Sequence, residues 1–379
     1  MTRLLFLTGP GGAGTTTLAA ATALRAARDG SRVLLFGVDD AGALEAVLDG
    51  AQYQALPRDD AETSGSGELA TPHLTVRGFD HQAATETALE ALAHHLAVPF
   101  AAAGFSAPAP SEIGPVPGLP DVLAVREIAA AVASGDWDAV IVDGPPLRAA
   151  LDLLSWPETA AAALRRLRPV EGQAARALRP LLAGLVGLPS PFAAVTKWTE
   201  EAAAEIAGVR DVLAGDHSVI RLVTSDARSA QPIQRVADSV LALQGLRSDK
   251  LVAVARHAGE PVGLEALAAL ADAVYGDADP IPAPAAPPRP VLDPDGAGYR
   301  YDLPLPGVTR DALGLVRSGD ELVVTVSAEG VAGHRRAFVL PAALRRCRIA
   351  SARLEDGLLR IGFKPDETLW PDGLLPDQG

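Results

Sequence analysis

Gly9-Pro10-Gly11-Gly12-Ala13-Gly14-Thr15-Thr16-Thr17-Leu18 has the layout of a phosphate-binding loop that lacks its lysine. In the template G-x-x-x-x-G-K-[ST], glycines turn backbone N–H groups into one concavity, the lysine reaches the terminal phosphates and the hydroxyl binds Mg²⁺. Gly9 and Gly14 hold the glycine positions, Thr16 holds the hydroxyl position, and Thr15 stands where the lysine belongs. No lysine occurs before Lys197. The flanks suit such a loop, because Leu4-Leu5-Phe6-Leu7 reads as a buried strand and Leu18 to Ala27 as an Ala-rich helix. The candidate nucleotide-binding residues are therefore Gly9, Gly11, Gly12, Ala13, Gly14, Thr15, Thr16 and Thr17, with the Thr16 hydroxyl directed to Mg²⁺.

Outward from the loop, strands, helices and turns alternate to about Tyr275, the pattern of an α/β domain with a mostly parallel sheet. A second strand, Arg32 to Val38, ends in Asp39-Asp40, and Ala139-Val140-Ile141-Val142 ends in Asp143. Ligands of open α/β sheets sit beyond the carboxyl ends of the strands, so Asp39 and Asp143 are expected to face the glycine loop. Ala/Leu/Arg-rich stretches from Glu158 to Leu188 and Thr199 to Leu213 read as amphipathic helices of a helical insertion. These site residues also have a purely structural reading. The glycines serve a tight strand-to-helix turn, Thr16 and Thr17 cap the helix, and the aspartates close strand ends.

Composition narrows the partners. A net charge of −14, with no basic cluster set apart from it, argues against nucleic acid. Cys347 is the only cysteine, which excludes an intrachain disulfide and a zinc site built on paired cysteines. The apolar run at the N-terminus is four residues long, too short for a signal peptide, and no transmembrane segment is expected, so the reading is cytoplasmic.

The segment Asp279 to Pro290 carries proline at a density that precludes helix or central strand and reads as an exposed, semi-rigid spacer. Beyond it come short alternating runs at 299–305, 321–326, 335–340, 349–354 and 358–363, the last two joined by Glu355-Asp356-Gly357, a hairpin signal. They predict a small all-β sandwich. The expected divisions are 1–278 for the α/β domain, 279–297 for the linker, 298–366 for the β-sandwich and 367–379 for a tail.

Taken in order, the glycine loop, Asp39-Asp40-Ala41, Pro117-Gly118, the Val-Ile-Val-Asp strand and Leu153-Leu154-Ser155-Trp156-Pro157-Glu158 resemble the ArsA-type ATPases. That family includes arsenite-pump ATPases and the ATPases that target tail-anchored membrane proteins. The C-terminal region resembles the α-crystallin-like domain of small heat-shock proteins, through Leu303 to Val308, Glu321 to Val326, Leu340 to Leu344 and Leu354 to Ile361. The resemblance implies ATP or ADP with Mg²⁺ as cofactor and pairing of two nucleotide sites face to face. It assigns Asp39 to positioning the attacking water and Asp143, with Thr16, to the metal.

Measured against that family, the site is stripped of charge. The family's loop resembles G-K-G-G-V-G-K-T-T, and here Pro10 and Thr15 occupy the two lysine positions. Pro10 also removes a backbone N–H. The segment resembling D-T-A-P-T-G-H-T becomes Asp143-Gly144-Pro145-Pro146-Leu147-Arg148-Ala149-Ala150, and the adenine-contacting segment resembling L-N-P-E becomes Thr224-Ser225-Asp226-Ala227. Weak nucleotide binding with little or no hydrolysis is expected. Three readings stay open: a degenerate, dimerising subunit, as homodimer or beside an intact-loop paralogue; a slow ATPase in which Arg3, Arg148 or a partner's arginine replaces the lysines; and a nucleotide-independent holdase for apolar protein clients.

Overall fold

The computed structural model describes residues 1–38, 41–48, 53–55, 66–69, 73–102, 106, 108–112, 118–182, 191–225, 227–249, 251–253, 261–296, 298–328, 331–366 and 368. The first unit runs β1 (Arg3–Thr8), α1 (Thr15–Arg28), β2 (Val33–Gly37), α2 (Ala41–Val47), β3 (Tyr53–Ala55), β4 (Ser66–Leu69), β5 (Leu74–Gly78), α3 (His81–Ala102), α4 (Leu119–Ser134), β6 (Ala139–Asp143), α5 (Leu147–Leu182), α6 (Pro191–Leu213), β7 (Ser218–Thr224), α7 (Ala227–Gln244), β8 (Val252–Ala253) and α8 (Leu264–Tyr275).

These strands form one sheet in the order β3-β4-β5-β2-β6-β1-β7-β8. From β5 to β8 every neighbouring pair is parallel, while β3 and β4 add an antiparallel edge. A parallel sheet is covered on both faces, so its strands are apolar at every position. Leu4 and Phe6 join Leu34, Phe36, Val140 and Val142 in one core, and Leu5 and Leu7 join Val33, Leu35 and Ile141 in the other. The period of two along a strand produces that division. The chain leaves β1 toward β2 on one side and later returns to β7 on the other. The carboxyl end of β1 is therefore the switch point where a crevice opens.

The second unit is a β-sandwich. One sheet has the order β14-β15-β10-β9, from β9 (Val291–Asp295), β10 (Gly298–Pro304), β14 (Cys347–Glu355) and β15 (Leu358–Pro365). The other has β11 (Leu313–Ser318), β12 (Glu321–Ala328) and β13 (Val331–Val339). Asp356 and Gly357 both take positive φ (50° and 73°), as a two-residue turn matching the strand twist requires.

The linker differs from the expected exposed spacer. Its prolines do hold it extended, yet it lies along the first unit. Pro280 and Ile281 are buried, and Arg221 donates to the Pro280 carbonyl. Arg3 pairs with Asp279 and donates to the Ile281 carbonyl. Further on, Ala285 N–H donates to Asp216 C=O and Arg247 to Ala283 C=O. The sandwich is docked as well, because Leu243 of α7 is fully buried within the sandwich core beside Leu322 and Leu340. A leucine so buried contributes about 1.5–3 kcal/mol. Around it, Glu158 of α5 accepts from both Arg210 and Arg336 at 2.8 Å, Arg336 also donates to Leu243 C=O, and Arg165 pairs with Glu321.

His334 of β13 sits in the same junction, 6% exposed. Ser155 Oγ–H donates to Leu151 C=O, its oxygen lies 3.4 Å from His334 Nδ1, and His334 Nε2 lies 3.9 Å from the Asp152 carboxylate. Burial pushes this imidazole below its ordinary value; the Asp152 carboxylate partly offsets that and the Arg148 guanidinium adds to it. The unfolded chain then takes up the proton before the folded one does, and protonation favours the unfolded side. Stability is expected to be full above about pH 6.5, the unfolded imidazole value, and to fall as pH drops through the window below it. The slope is at most about 1.4 kcal/mol per pH unit. Urea unfolding across pH 7.5 to 5 checks this against His334→Phe, which should flatten the part of the slope that histidine supplies. Identical slopes would show that His334 contributes nothing.

Candidate functional site

The glycine loop caps β1 at the switch point. Gly9 packs on the end of β7, and a Cβ there would stand 2.2 Å from the Val223 carbonyl oxygen, so no other residue fits. Gly12 and Gly14 take φ of 72° and 84°, the left-handed region that favours glycine. Gly11 is different: its φ is ordinary, and a Cβ built on it meets nothing within 4 Å. Neither backbone nor packing demands glycine there, whereas close approach of a molecule from outside would.

Helix α1 starts at Thr15 with Gly14 as its N-cap and no side-chain cap, so the structural reading of Thr16 and Thr17 as capping residues does not apply. Leu18 N–H donates to Gly14 C=O and opens the helix ladder, which leaves the N–H groups of Thr15, Thr16 and Thr17 at its free end. Ala13 N–H is used internally, on Pro10 C=O. Thr15, Thr16 and Thr17 are half-buried, and their hydroxyls meet no hydrogen-bond partner among the described residues. The loop thus retains N–H donors, hydroxyls and open space, and carries no cation of its own.

Asp143 ends β6 between β1 and β2, in register with Leu7 and Gly37, and is buried. Its carbonyl accepts from Val38 N–H, which brings the end of β2 beside it. Asp39, the residue following Val38, lies outside the described residues, as do Asp40 and Asp226. The connection after β6 is short and tied to the loop. Gly144 N–H donates to Leu7 C=O, Thr8 Oγ1–H to Pro145 C=O, and Leu147 N–H to Gly9 C=O. A Cβ at Gly144 would fall 2.3 Å from the Phe6 ring, so this turn is packed against β1. Helix α5 follows at once.

Arg3 and Arg148, the two arginines of this chain offered as substitutes for the lysines, lie in different places. Arg3 begins β1, at the opposite end of the strand from the loop, and is engaged by Asp279 and Ile281. Arg148 lies close enough to the buried His334 of the sandwich to depress its pKa. Among the described residues no helix is long and apolar enough to cross a membrane, and no cluster of His, Cys, Asp and Glu is arranged to hold a metal.

Comparison with known proteins agrees with this architecture. The family model described as anion-transporting ATPase matches residues 2–265, and that of the HSP20-like domain found in ArsA matches 296–363. An uncharacterized protein of Streptomyces coelicolor is 37% identical, covering 98% of this chain and 100% of its own length. A relative in Aquifex aeolicus, named as a candidate arsenical pump-driving ATPase, is 22% identical over 93% of this chain and 98% of its own. Among solved structures, the small heat shock protein AgsA from Salmonella typhimurium covers 24% of this chain and 95% of its own, at 21% identity and a TM-score of 0.18.

Proposed function

The chain belongs to the ArsA-type anion-transporting ATPase family and carries that family's HSP20-like domain, and from this membership we propose that it is a member with a degenerate nucleotide site. In this reading it binds ATP or ADP weakly, turns it over little or not at all, and acts as a dimerising subunit that handles apolar protein clients or regulates an active paralogue. The observation that carries the reading is the loop itself, which keeps open space beside Gly11 and the free N–H groups of Thr15 to Thr17 but has Pro10 and Thr15 at the two lysine positions.

When bound, the nucleotide would supply phosphate oxygens to this loop and Mg²⁺ to Thr16 and Asp143. The N–H groups of Gly11, Gly12, Gly14 and Thr15 to Thr17 are the donors that would orient the phosphates. Stabilising the charge of phosphoryl transfer takes several fixed cations. Each missing charged hydrogen bond forfeits roughly 1.5–3 kcal/mol. Nor does the connection after β6 offer polar groups to sense a terminal phosphate, since Gly144-Pro145-Pro146-Leu147 is tied to the loop by backbone hydrogen bonds. Arg3, held at the far end of β1, does not substitute.

Purified protein with Mg²⁺ and ATP is therefore expected to release phosphate no faster than a buffer blank. Turnover above ~0.1 s⁻¹, well below common enzyme rates, that vanishes in Asp39→Asn would overturn the reading in favour of a slow ATPase. Sedimentation of the same protein, alone and with an intact-loop paralogue, tests the subunit role: a strict monomer in both samples, with or without ATP, defeats it.

A further inference from the structure

The outer face of the sheet β14-β15-β10-β9 repeats one charge across its strands. Arg348 of β14 stands directly opposite Lys364 of β15, and four residues away along β15, Arg360 stands directly opposite Arg353. All four are exposed. The alternate residues Leu359, Ile361 and Phe363 are buried, so the period of two turns the four cations outward together. The bulge between Ile349 and Ser351 keeps them there, since without its extra residue Arg348 would point inward. Between the two cation rows lie Ser351 and Gly362, also opposite each other. A Cβ on Gly362 would fall 2.6 Å from Ser351 Oγ, so this middle row carries no bulk and forms a floor. The rows it separates are about 13 Å apart, four residues of strand.

Like charges directly opposite each other destabilise a sheet. Arg360 is offset by Glu355 at the rim, and Arg300 of the next strand by Asp293 and Asp302. Arg348 is offset in part by Asp366, whose carboxyl the Thr368 hydrogen bonds, and then the nearby Arg348, hold below its ordinary value. Arg353 and Lys364 have no ion-pair partner among the described residues. An edge strand such as β14 is guarded against pairing by a charge of its own. That use does not call for a second cation facing it from β15.

The face is also set apart from the rest of the chain. Residues 298–366 carry eleven Lys and Arg against eight Asp and Glu, in a chain of net charge −14. Helices α5 and α7 pack on β12 and β13, whereas β14 lies by β11, the other end of that sheet, where Arg317 donates to Cys347 C=O. With a Debye length of about 8 Å at physiological salt, the acidic first unit leaves this face cationic at short range.

A partner that offsets the repulsion is anionic, and the surroundings select its class. No aromatic ring lies on the face, because Tyr301 and Phe363 turn into the core, and single-stranded nucleic acid is held by stacking on such rings. Asp293, Asp302 and Glu355 border the cations and repel a line of phosphates running beyond them. Carboxylates on a polypeptide can be confined to the two rows. We propose that the outer face of β14 and β15 is a docking surface for an acidic segment of another protein, with carboxylates in two groups about 13 Å apart and small residues between them over Ser351 and Gly362.

Fluorescence anisotropy of a labelled glutamate–alanine peptide, about twelve residues long so that it covers both rows, tests this with the full-length protein. Saturable binding is expected. Arg353→Gln with Lys364→Gln should weaken it about fivefold or more, the loss of two exposed charge pairs. Arg310→Gln with Arg335→Gln removes two exposed cations of the sandwich from outside the face and should bind as the parent does. The Arg353/Lys364 variant should also melt no lower than the parent, because each repelling pair loses one member; lower melting would assign the two cations to the fold instead. Arg353→Thr with Lys364→Thr serves if the glutamine variant does not fold. Absence of peptide binding, or an equal loss in both double variants, overturns the assignment. So does tighter binding of single-stranded DNA of the same length or of phosphatidylserine vesicles. Self-association of the parent in sedimentation that the Arg353/Lys364 variant abolishes would make the occupant a second copy of this chain and overturn it as well.

Discussion

Glu158→Ala is expected to destabilise the protein by about 3 kcal/mol, the lower end of the range for stripping the partner from a buried charge. The carboxylate is 10% exposed and holds two guanidiniums on one oxygen, Arg210 through Nε and Arg336 through Nη2. Arg336 is itself 14% exposed, and burial already disfavours its charged form, with Glu158 supplying the main compensation. Without Glu158 it keeps only the Leu243 carbonyl and the face of Phe338. A cavity bordered by Glu158 and Arg336 admits solvent to the freed guanidinium, which places the loss at the low rather than the high end. Paired replacement of Glu158→Met and Arg336→Met should restore stability to within about 1 kcal/mol of the parent, because both charges then leave together. Urea unfolding with a probe in each unit is the measurement, and the single variant should separate sandwich undocking from unfolding of the sheet. A loss below about 1 kcal/mol, or a double variant as unstable as the single one, would mean that Leu243 and its apolar neighbours alone hold the two units together.

Why this junction escaped the sequence, while the parallel sheet did not, follows from the kind of signal each leaves. Leu4 to Leu7 and Ala139 to Val142 are uninterrupted apolar runs because both faces of their sheet are covered. The glycine spacing announced the turn into α1, and Asp356-Gly357 announced the last hairpin. By contrast, Ser66 to Leu69 leaves no strand signal, because it is a short polar strand between β3 and β5 with no alternation to read. Val291 to Asp295 was hidden in the proline-rich segment; it lies at the edge of its sheet, where Pro294 is tolerated. Glu158, Arg210, Gln244, His334 and Arg336 each read as a solvated polar residue on an amphipathic element. Only the docking of two units buries them, and no local pattern encodes which distant element will cover a helix. At the loop the position was legible from spacing. The distinction between Gly9, which packing requires, and Gly11, which it does not, needed the carbonyl of Val223 to be seen beside one and open space beside the other.

That distinction leads to a test at the loop. Replacing Pro10→Lys and Thr15→Lys together is expected to raise affinity for Mg²⁺–ATP at least about tenfold, since the one charge-assisted hydrogen bond that Thr15→Lys restores within the chain is worth about 1.5–3 kcal/mol and every 1.4 kcal/mol is about tenfold. Pro10→Lys also returns a backbone N–H to the concavity. Thr15→Lys should account for most of the gain in a lone chain, because the family resemblance assigns the earlier lysine to the nucleotide of a dimer partner. Binding should rise well before turnover does. The turn from Gly144 to Leu147 stays tied to Leu7, Thr8 and Gly9 and gains no polar group from either substitution. Titration calorimetry of parent, single and double variants, with circular dichroism to show an unchanged fold, measures the gain. If affinity does not move while the fold is intact, Gly11 and the free N–H groups of Thr15 to Thr17 face a concavity that no longer fits phosphate, and the glycines survive only to turn the chain from β1 into α1. If affinity rises as expected, the backbone half of the site has outlasted its charges, and the turn from β1 into α1 still fits phosphate.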